Sequence, residues 1–248
     1  SWRLAPGLVL GATLAGAGLF AAGRLRAFQA GWDRLRRVLG REDVFLMLVF
    51  CAALALRLFY TARVMTNPDF LNTGSDGPTY DALAWALVQG QPPPESLPWW
   101  STHEHFFTPG YIRFVALIYG LVGRSYVAVC AVQAVMGAAA CVLMYAVAKR
   151  LFGLTAARLA AAFGAVSFPM IFAAAGLGHQ AADLFWTLAV VWCLLRYLER
   201  PERRGRWLLG IGLLLGWAAA TREGNIVVWL FLLGWFLLGV RVRVGWRR

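Results

Sequence analysis

Residues 126–148 read YVAVCAVQAVMGAAACVLMYAVA, an unbroken run without one Asp, Glu, Lys or Arg. A helix of about 20 apolar residues, each rising about 1.5 Å, crosses the hydrocarbon core of a bilayer. This run is long enough to do so, and Lys149-Arg150 stand directly after it. Working outward, apolar runs recur at 7–23, 44–61, 155–176, 181–197, 207–220 and 225–240. The last two are short and borrow flanking residues. The chain of 248 residues is 60% hydrophobic and 15% charged, against about 25% charged in ordinary soluble domains. The reading is an all-α fold: a polytopic transmembrane helix bundle of about seven spans, with interfacial helices in its first outward loop.

The net charge of +12 would suit a nucleic-acid partner if the basic residues formed one surface. They stand instead beside the apolar runs, as topology signals do, so no nucleic-acid partner is expected. All but Lys149 of the 24 basic residues are arginine, a bias that suggests a GC-rich bacterial genome. The run at 109–123 is short, opens with Pro109-Gly110 and contains Arg113, so it reads as a helix lying along the membrane. With that segment not spanning, the loops alternate. Residues 24–43, 149–158, 196–206 and 241–248 fall on one side and carry 6, 3, 5 and 4 basic residues, 18 of the 24. The other side receives the polar insert 61–108 and the turns 176–180 and 221–225. The positive-inside rule makes the first side cytoplasmic. The insert, His179 and Arg222-Glu223 then face outward from a bacterial cytoplasmic (inner) membrane.

Cys51, Cys130, Cys141 and Cys193 all lie in apolar stretches without metal-ligand spacing, and read as free thiols packed in helices. Residues 7–23 have the length of a signal-peptide core, but the arginines follow that run and no clear cleavage site comes after it. It reads as a span, and its Gly7, Gly11, Ala15 and Gly18 allow close helix contact within the chain or against a partner. Residues 24–41 place Phe28, Trp32, Leu35 and Leu39 at helical spacing among arginines. That pattern suits an amphipathic helix on the cytoplasmic leaflet. The expected organisation is an N-terminal membrane helix with its basic helix over 1–42, then a transmembrane module over 43–248 with the outward loop 61–108.

The insert gathers Ser75-Asp76-Gly77-Pro78-Thr79-Tyr80-Asp81, Thr102-His103-Glu104-His105 and Thr108-Pro109-Gly110-Tyr111. Asp76 sits in a turn-like context before an apolar helical pattern. There it serves as a helix cap, as a general base toward a hydroxyl or amine, or as a ligand to a divalent metal ion. His103, Glu104 and His105 form a donor and acceptor cluster whose readings are loop polarity, a phosphate contact and part of a metal site. Arg222-Glu223, at an outer helix end, reads as an interfacial ion pair or as an anion site, since guanidinium suits phosphate. Arg57, near the outer end of its span, snorkels or binds phosphate. Asp183 caps its helix or faces a cavity.

Taken in order, these residues resemble the GT-C superfamily of membrane glycosyltransferases, above all bacterial members related to protein O-mannosyltransferases and the lipid A aminoarabinose transferase. The carrying features are Leu56-Arg57-Leu58, Asp76 with Tyr80 four residues on, the Ala/Leu helix ending at Gly90, and Thr108-Pro109-Gly110-Tyr111. Gly120-Leu121-Val122-Gly123, Gln133 with Gly137, Lys149-Arg150-Leu151-Phe152-Gly153 and Thr221-Arg222-Glu223 complete the set, over about residues 43–240.

The resemblance implies transfer of a sugar from a polyprenyl phosphate or pyrophosphate donor in the membrane, on the outer face, to a protein, lipid or glycan. It maps the family's essential acid onto Asp76, as base or metal ligand, and the donor-phosphate contact onto Arg222. Tyr80, Asp81, His103, His105, Arg57 and Glu223 are the further expected substrate contacts. Many relatives carry a second acid directly after the first, where Gly77 stands here. Relatives also run longer, so the acceptor-binding part is expected outside this stretch or in a partner membrane subunit. The second reading is a non-catalytic subunit of the same fold that scaffolds a larger membrane complex. A transporter fits poorly, because the spans lack mid-membrane charge.

Overall fold

Pro169 divides what the hydropathy pattern presents as one span. The computed structural model describes residues 40–67, 76–95, 97, 109–222 and 224–237. Among them every element is helical and no strand occurs. The chain divides into two compact units, Ser1–Leu48 and Val49–Arg248. In the first, the described residues hold the start of helix α1 (Glu42–Val64), where exposed Arg41 pairs with Asp43 at 2.9 Å. The span expected at 7–23 and nearly all of the basic helix expected at 24–41 lie outside the described residues.

The second unit carries the rest of α1. It continues with α2 (Gly77–Gln89), α3 (Pro109–Val122), α4 (Tyr126–Phe152), α5 (Leu154–Val166), α6 (Phe168–Phe172) and α7 (Gln180–Glu199). A 3-10 turn (Pro201–Arg203), α8 (Arg204–Thr221) and α9 (Asn225–Leu237) follow. Among the described residues three helices, α1, α4 and α7, are long and apolar enough to cross a membrane, while α3 and α5 are apolar but shorter. Large apolar side chains such as Phe59, Phe163, Leu213 and Phe231 are exposed, as a lipid-facing surface requires. The chain is a multi-pass membrane protein.

The run 155–176, expected as one span, is a correction. Proline has no N–H to give the carbonyl four residues earlier, and its ring crowds that carbonyl. Accordingly α5 stops at Val166, Ser167 turns extended (φ −63°, ψ 114°), and the five-residue α6 starts anew. Arg57 compensates for the break. Its Nη1 donates to the Ala165 carbonyl at 3.4 Å and its Nη2 to the Gly164 carbonyl at 3.2 Å. These are the carbonyls that the N–H groups of residues 169 and 168 would take in a continuing helix. A guanidinium at a helix C-terminus also meets the negative end of the dipole.

Space for that guanidinium comes from α4 and α5. A Cβ on Gly137 would lie 2.6 Å from Arg57 Nε, and one on Gly164 would lie 3.0 Å from Met144 Sδ. Small residues along α4, among them Ala134, Ala138 and Cys141, are buried and let α5 and α7 approach from either side. Gly153, alone between α4 and α5, has φ 87°, a left-handed conformation that glycine adopts without steric cost. On α7 and α8, Val190, Cys193, Ile211 and Leu215 form a second buried cluster.

Helices α4 and α7 run in the same direction. Gln133 Nε2 donates to the Gly176 carbonyl just before α7, at 2.7 Å, and Arg150 Nε donates to Glu199 Oε1 at the other end, at 2.9 Å. At that second end Arg196 stands 5.7 Å from the ring centres of both Trp192 and Trp207, and Arg204 stands 5.5 Å from Tyr197. Arginines interleaved with Trp and Tyr are what a membrane–water boundary selects. The basic segments around 150 and 200 therefore share one end of the bundle.

Candidate functional site

The opposite end assembles from four helix termini. Asp76 is the residue before α2, with Pro78 in the first turn, where its missing N–H costs nothing. The Asp76 carbonyl accepts from Tyr80 N–H at 3.0 Å. Its side chain makes no capping bond, its backbone is helical (φ −66°, ψ −3°) and the residue is exposed. The helix-cap reading of this acid is therefore not what the geometry shows, and its carboxylate is open to a ligand.

A polar framework holds the next terminus. Pro109 opens α3 and Gly110 lies against α8: a Cβ there would stand 2.6 Å from the Ala220 carbonyl carbon. Only a glycine permits that approach. Tyr111, fully buried, donates to Gln133 Oε1 at 2.8 Å, and burial pushes its phenol well up, so it stays a donor. Gln133 in turn holds the Gly176 carbonyl, and Tyr126 Oη accepts from Leu177 N–H at 3.1 Å. Tyr80 packs edge-on to Tyr111 with centroids 4.8 Å apart. The segment 174–179 is thus fixed from α3 and α4, and it delivers His179 to the N-terminus of α7.

His179 is half-buried, and its Nδ1 is buried without a hydrogen-bond partner among the described residues. Burial lowers its pKa first and the Arg222 charge lowers it further, while Asp183 and Asp76 pull the other way. Two carboxylates from different helices and one guanidinium therefore act on a single imidazole. Arg222 Nη1 donates to Asp183 Oδ2 at 3.2 Å, and Asn225 Nδ2 donates to Asp183 Oδ1 at 2.5 Å and to the Ala218 carbonyl at 2.9 Å. The Asp183 side chain is 14% exposed and that of Arg222 54%. The acid is largely buried, and the guanidinium is left exposed with most of its N–H groups unengaged among the described residues.

Other expected substrate contacts lie elsewhere. Arg57 does not snorkel; it is wholly buried and bonded to the Ala53, Gly164 and Ala165 carbonyls. Asp81 is a clamp: Arg124 Nη2 meets its Oδ2 at 2.6 Å and Tyr119 donates to its Oδ1 at 2.5 Å. That bond raises the Arg124 pKa, and burial together with the same carboxylate pushes the Tyr119 phenol up. Tyr80 is buried in the core cluster against Tyr111. His103, Glu104, His105 and Glu223 lie outside the described residues. Among the described residues no group of three His, Cys, Asp or Glu side chains is placed to hold a metal ion. His179 and Asn225 were absent from the expected site. A lone histidine in a short turn carries little signal of its own, and it is the packing of that turn on Gln133 that fixes its place.

An exposed carboxylate, a half-exposed guanidinium and an imidazole at the N-terminus of an apolar helix suit transfer of a group from an anionic lipid. The chain matches the model of the dolichyl-phosphate-mannose-protein mannosyltransferase family over residues 108–247, more than half of its length. No curated protein and no solved structure matches it. The matched stretch contains Gly110, Gln133, His179, Asp183 and Arg222, while α2 and Asp76 precede it. The chain belongs to the dolichyl-phosphate-mannose-protein mannosyltransferase family, membrane glycosyltransferases of the GT-C type.

Proposed function

We propose that this chain transfers a sugar from a polyprenyl-phosphate donor to an acceptor on the extracytoplasmic face of a bacterial cytoplasmic membrane, with Asp76 as the base. The observation that carries the reading is the Asp76 carboxylate itself, exposed at a helix start and uncommitted to its own backbone, with its charge and that of Arg222 both bearing on the His179 pKa. The acceptor hydroxyl or amine gives its proton to Asp76 as its lone pair bonds to the anomeric carbon. The bond from that carbon to the phosphate oxygen breaks, and its electron pair leaves on the phosphate. Arg222, oriented by Asp183, stabilises the charge that develops there. Residues 43–248 are the proposed transmembrane module, with 1–42 an added membrane segment and loop 61–108 on the outer side. The basic and aromatic end around Arg150 and Arg196 supports that orientation.

The test is sugar transfer by the purified chain in lipid nanodiscs, from a panel of polyprenyl-phosphate sugars to peptide, lipid and glycan acceptors. Wild type turning over and Asp76→Asn losing at least about a hundredfold is the expected result. A folded wild type that transfers from no donor contradicts it and favours a scaffolding subunit.

A further inference from the structure

His179 is a polar side chain of the site to which the transfer just described gives no role. His179 stands at the N-terminus of α7, where its carbonyl accepts from Asp183 N–H at 2.8 Å and Asp183 in turn holds Arg222 at 3.2 Å, and the charge of Asp76 also reaches it. In the proposed reaction Asp76 marks the acceptor end and Arg222 the phosphate end. What lies between a nucleophile and a leaving phosphate is the sugar, and an imidazole that feels the charges of both ends is placed to meet it.

The chemistry of the ring narrows its part further. Nδ1 is buried and meets no partner among the described residues. A proton on Nδ1 would be a buried donor with nothing to accept it, which is costly. The tautomer that avoids this carries its proton on Nε2. The imidazolium has N–H groups on both nitrogens and incurs the same cost, and it would stand beside Arg222 as a like charge. Among the described residues the charged groups around His179 are Asp76 before α2, Asp183 on α7 and Arg222 after α8. Asp183 is already engaged by Arg222 and Asn225.

We propose that His179 is a sugar-reading residue, a neutral imidazole whose Nε2–H donates a hydrogen bond to one hydroxyl of the transferred sugar. This rests on the transferase reading above. The imidazole transfers no proton in the reaction. It sets which hydroxyl pattern is accepted, because an Nε2–H covered by a sugar that lacks the hydroxyl is left unpaired.

The experiment compares transfer from polyprenyl-phosphate mannose with transfer from its 2-, 3-, 4- and 6-deoxy analogues, using the full chain in nanodiscs. Wild type should lose about tenfold in kcat/KM for one deoxy analogue beyond the others, the value of one neutral hydrogen bond. His179→Leu should lose about as much with the parent donor and no longer discriminate at that position. His179→Gln, whose amide reaches the Nε2 position, should restore the discrimination. If His179→Leu does not fold, His179→Asn serves, since its amide reaches only the Nδ1 position. Deoxy penalties that are the same in wild type and variant overturn the assignment while leaving the transferase reading intact. A folded wild type that transfers from neither mannose nor any other polyprenyl-phosphate sugar overturns both.

Discussion

Arg222 and Asp183, 39 residues apart in sequence, join the end of α8 to the first turn of α7 at 3.2 Å. The pair is asymmetric: the acid is largely buried and the arginine is more than half exposed. Only one guanidinium N–H group is engaged by the acid, so the rest can form a fork toward a phosphate. Asn225 holds the second carboxylate oxygen and prevents the acid from turning away.

Asp183→Asn removes the charge that orients Arg222 while keeping the shape. The donor KM should rise by about tenfold, the lower value for a charge-assisted hydrogen bond, with kcat changed less. Transfer kinetics with varied donor concentration check this, and an unchanged donor KM contradicts the orienting role.

Gly110→Ala should be destabilising, because its Cβ would lie 2.6 Å from backbone carbon of Ala220 and backbone does not yield as a flexible side chain does. The expected loss is about 1–3 kcal/mol, seen as a lower Tm in detergent. Gly120→Ala, where a Cβ meets nothing within 4 Å, is the control and should leave Tm unchanged or raise it.

Arg57→Ala should lower Tm, since it leaves the Gly164 and Ala165 carbonyls without their donor at the break before Pro169 and opens a cavity. Donor KM, measured on the folded fraction, should stay at the wild-type value. A raised donor KM with unchanged Tm would return Arg57 to the phosphate site.

The His179 pKa is lowered in the folded chain. The unfolded chain therefore binds the proton first as pH falls from about 6.5, the ordinary histidine value. In that window the unfolded state holds more protons, so stability decreases as pH drops from about 6.5 through the lower folded value. Thermal melts across pH 7 to 5 should show this decline in wild type and a smaller one in His179→Gln. Equal slopes would contradict the burial of the imidazole.

Hydropathy alone made α4 and α7 legible, because runs without charge leave a helix as the only way to satisfy backbone groups in lipid. The loop punctuation was equally legible: Gly90 ends α2 with φ 63°, and Pro109 opens α3. Arg57 was not, because a snorkelling arginine and one bonded to carbonyls 107 and 108 residues away look the same along the chain. The break at Pro169 belongs to the same misreading, since residues 155–176 are apolar on both sides of it. At the site, Asp76 and Arg222 stood out as charges at helix ends. Asp81 stood out as well, yet its partner Arg124 lies 43 residues on, and only packing of α2 against α3 separates a clamp from a ligand.

The most direct measurement is an electron cryo-microscopy map of the chain in nanodiscs with polyprenyl-phosphate mannose and the inactive Asp76→Asn side chain. The account predicts phosphate density within hydrogen-bond distance of the Arg222 guanidinium, with the sugar extending past His179 toward residue 76. Donor density elsewhere, or the space between residue 76 and Arg222 filled by the chain's own side chains, would contradict it.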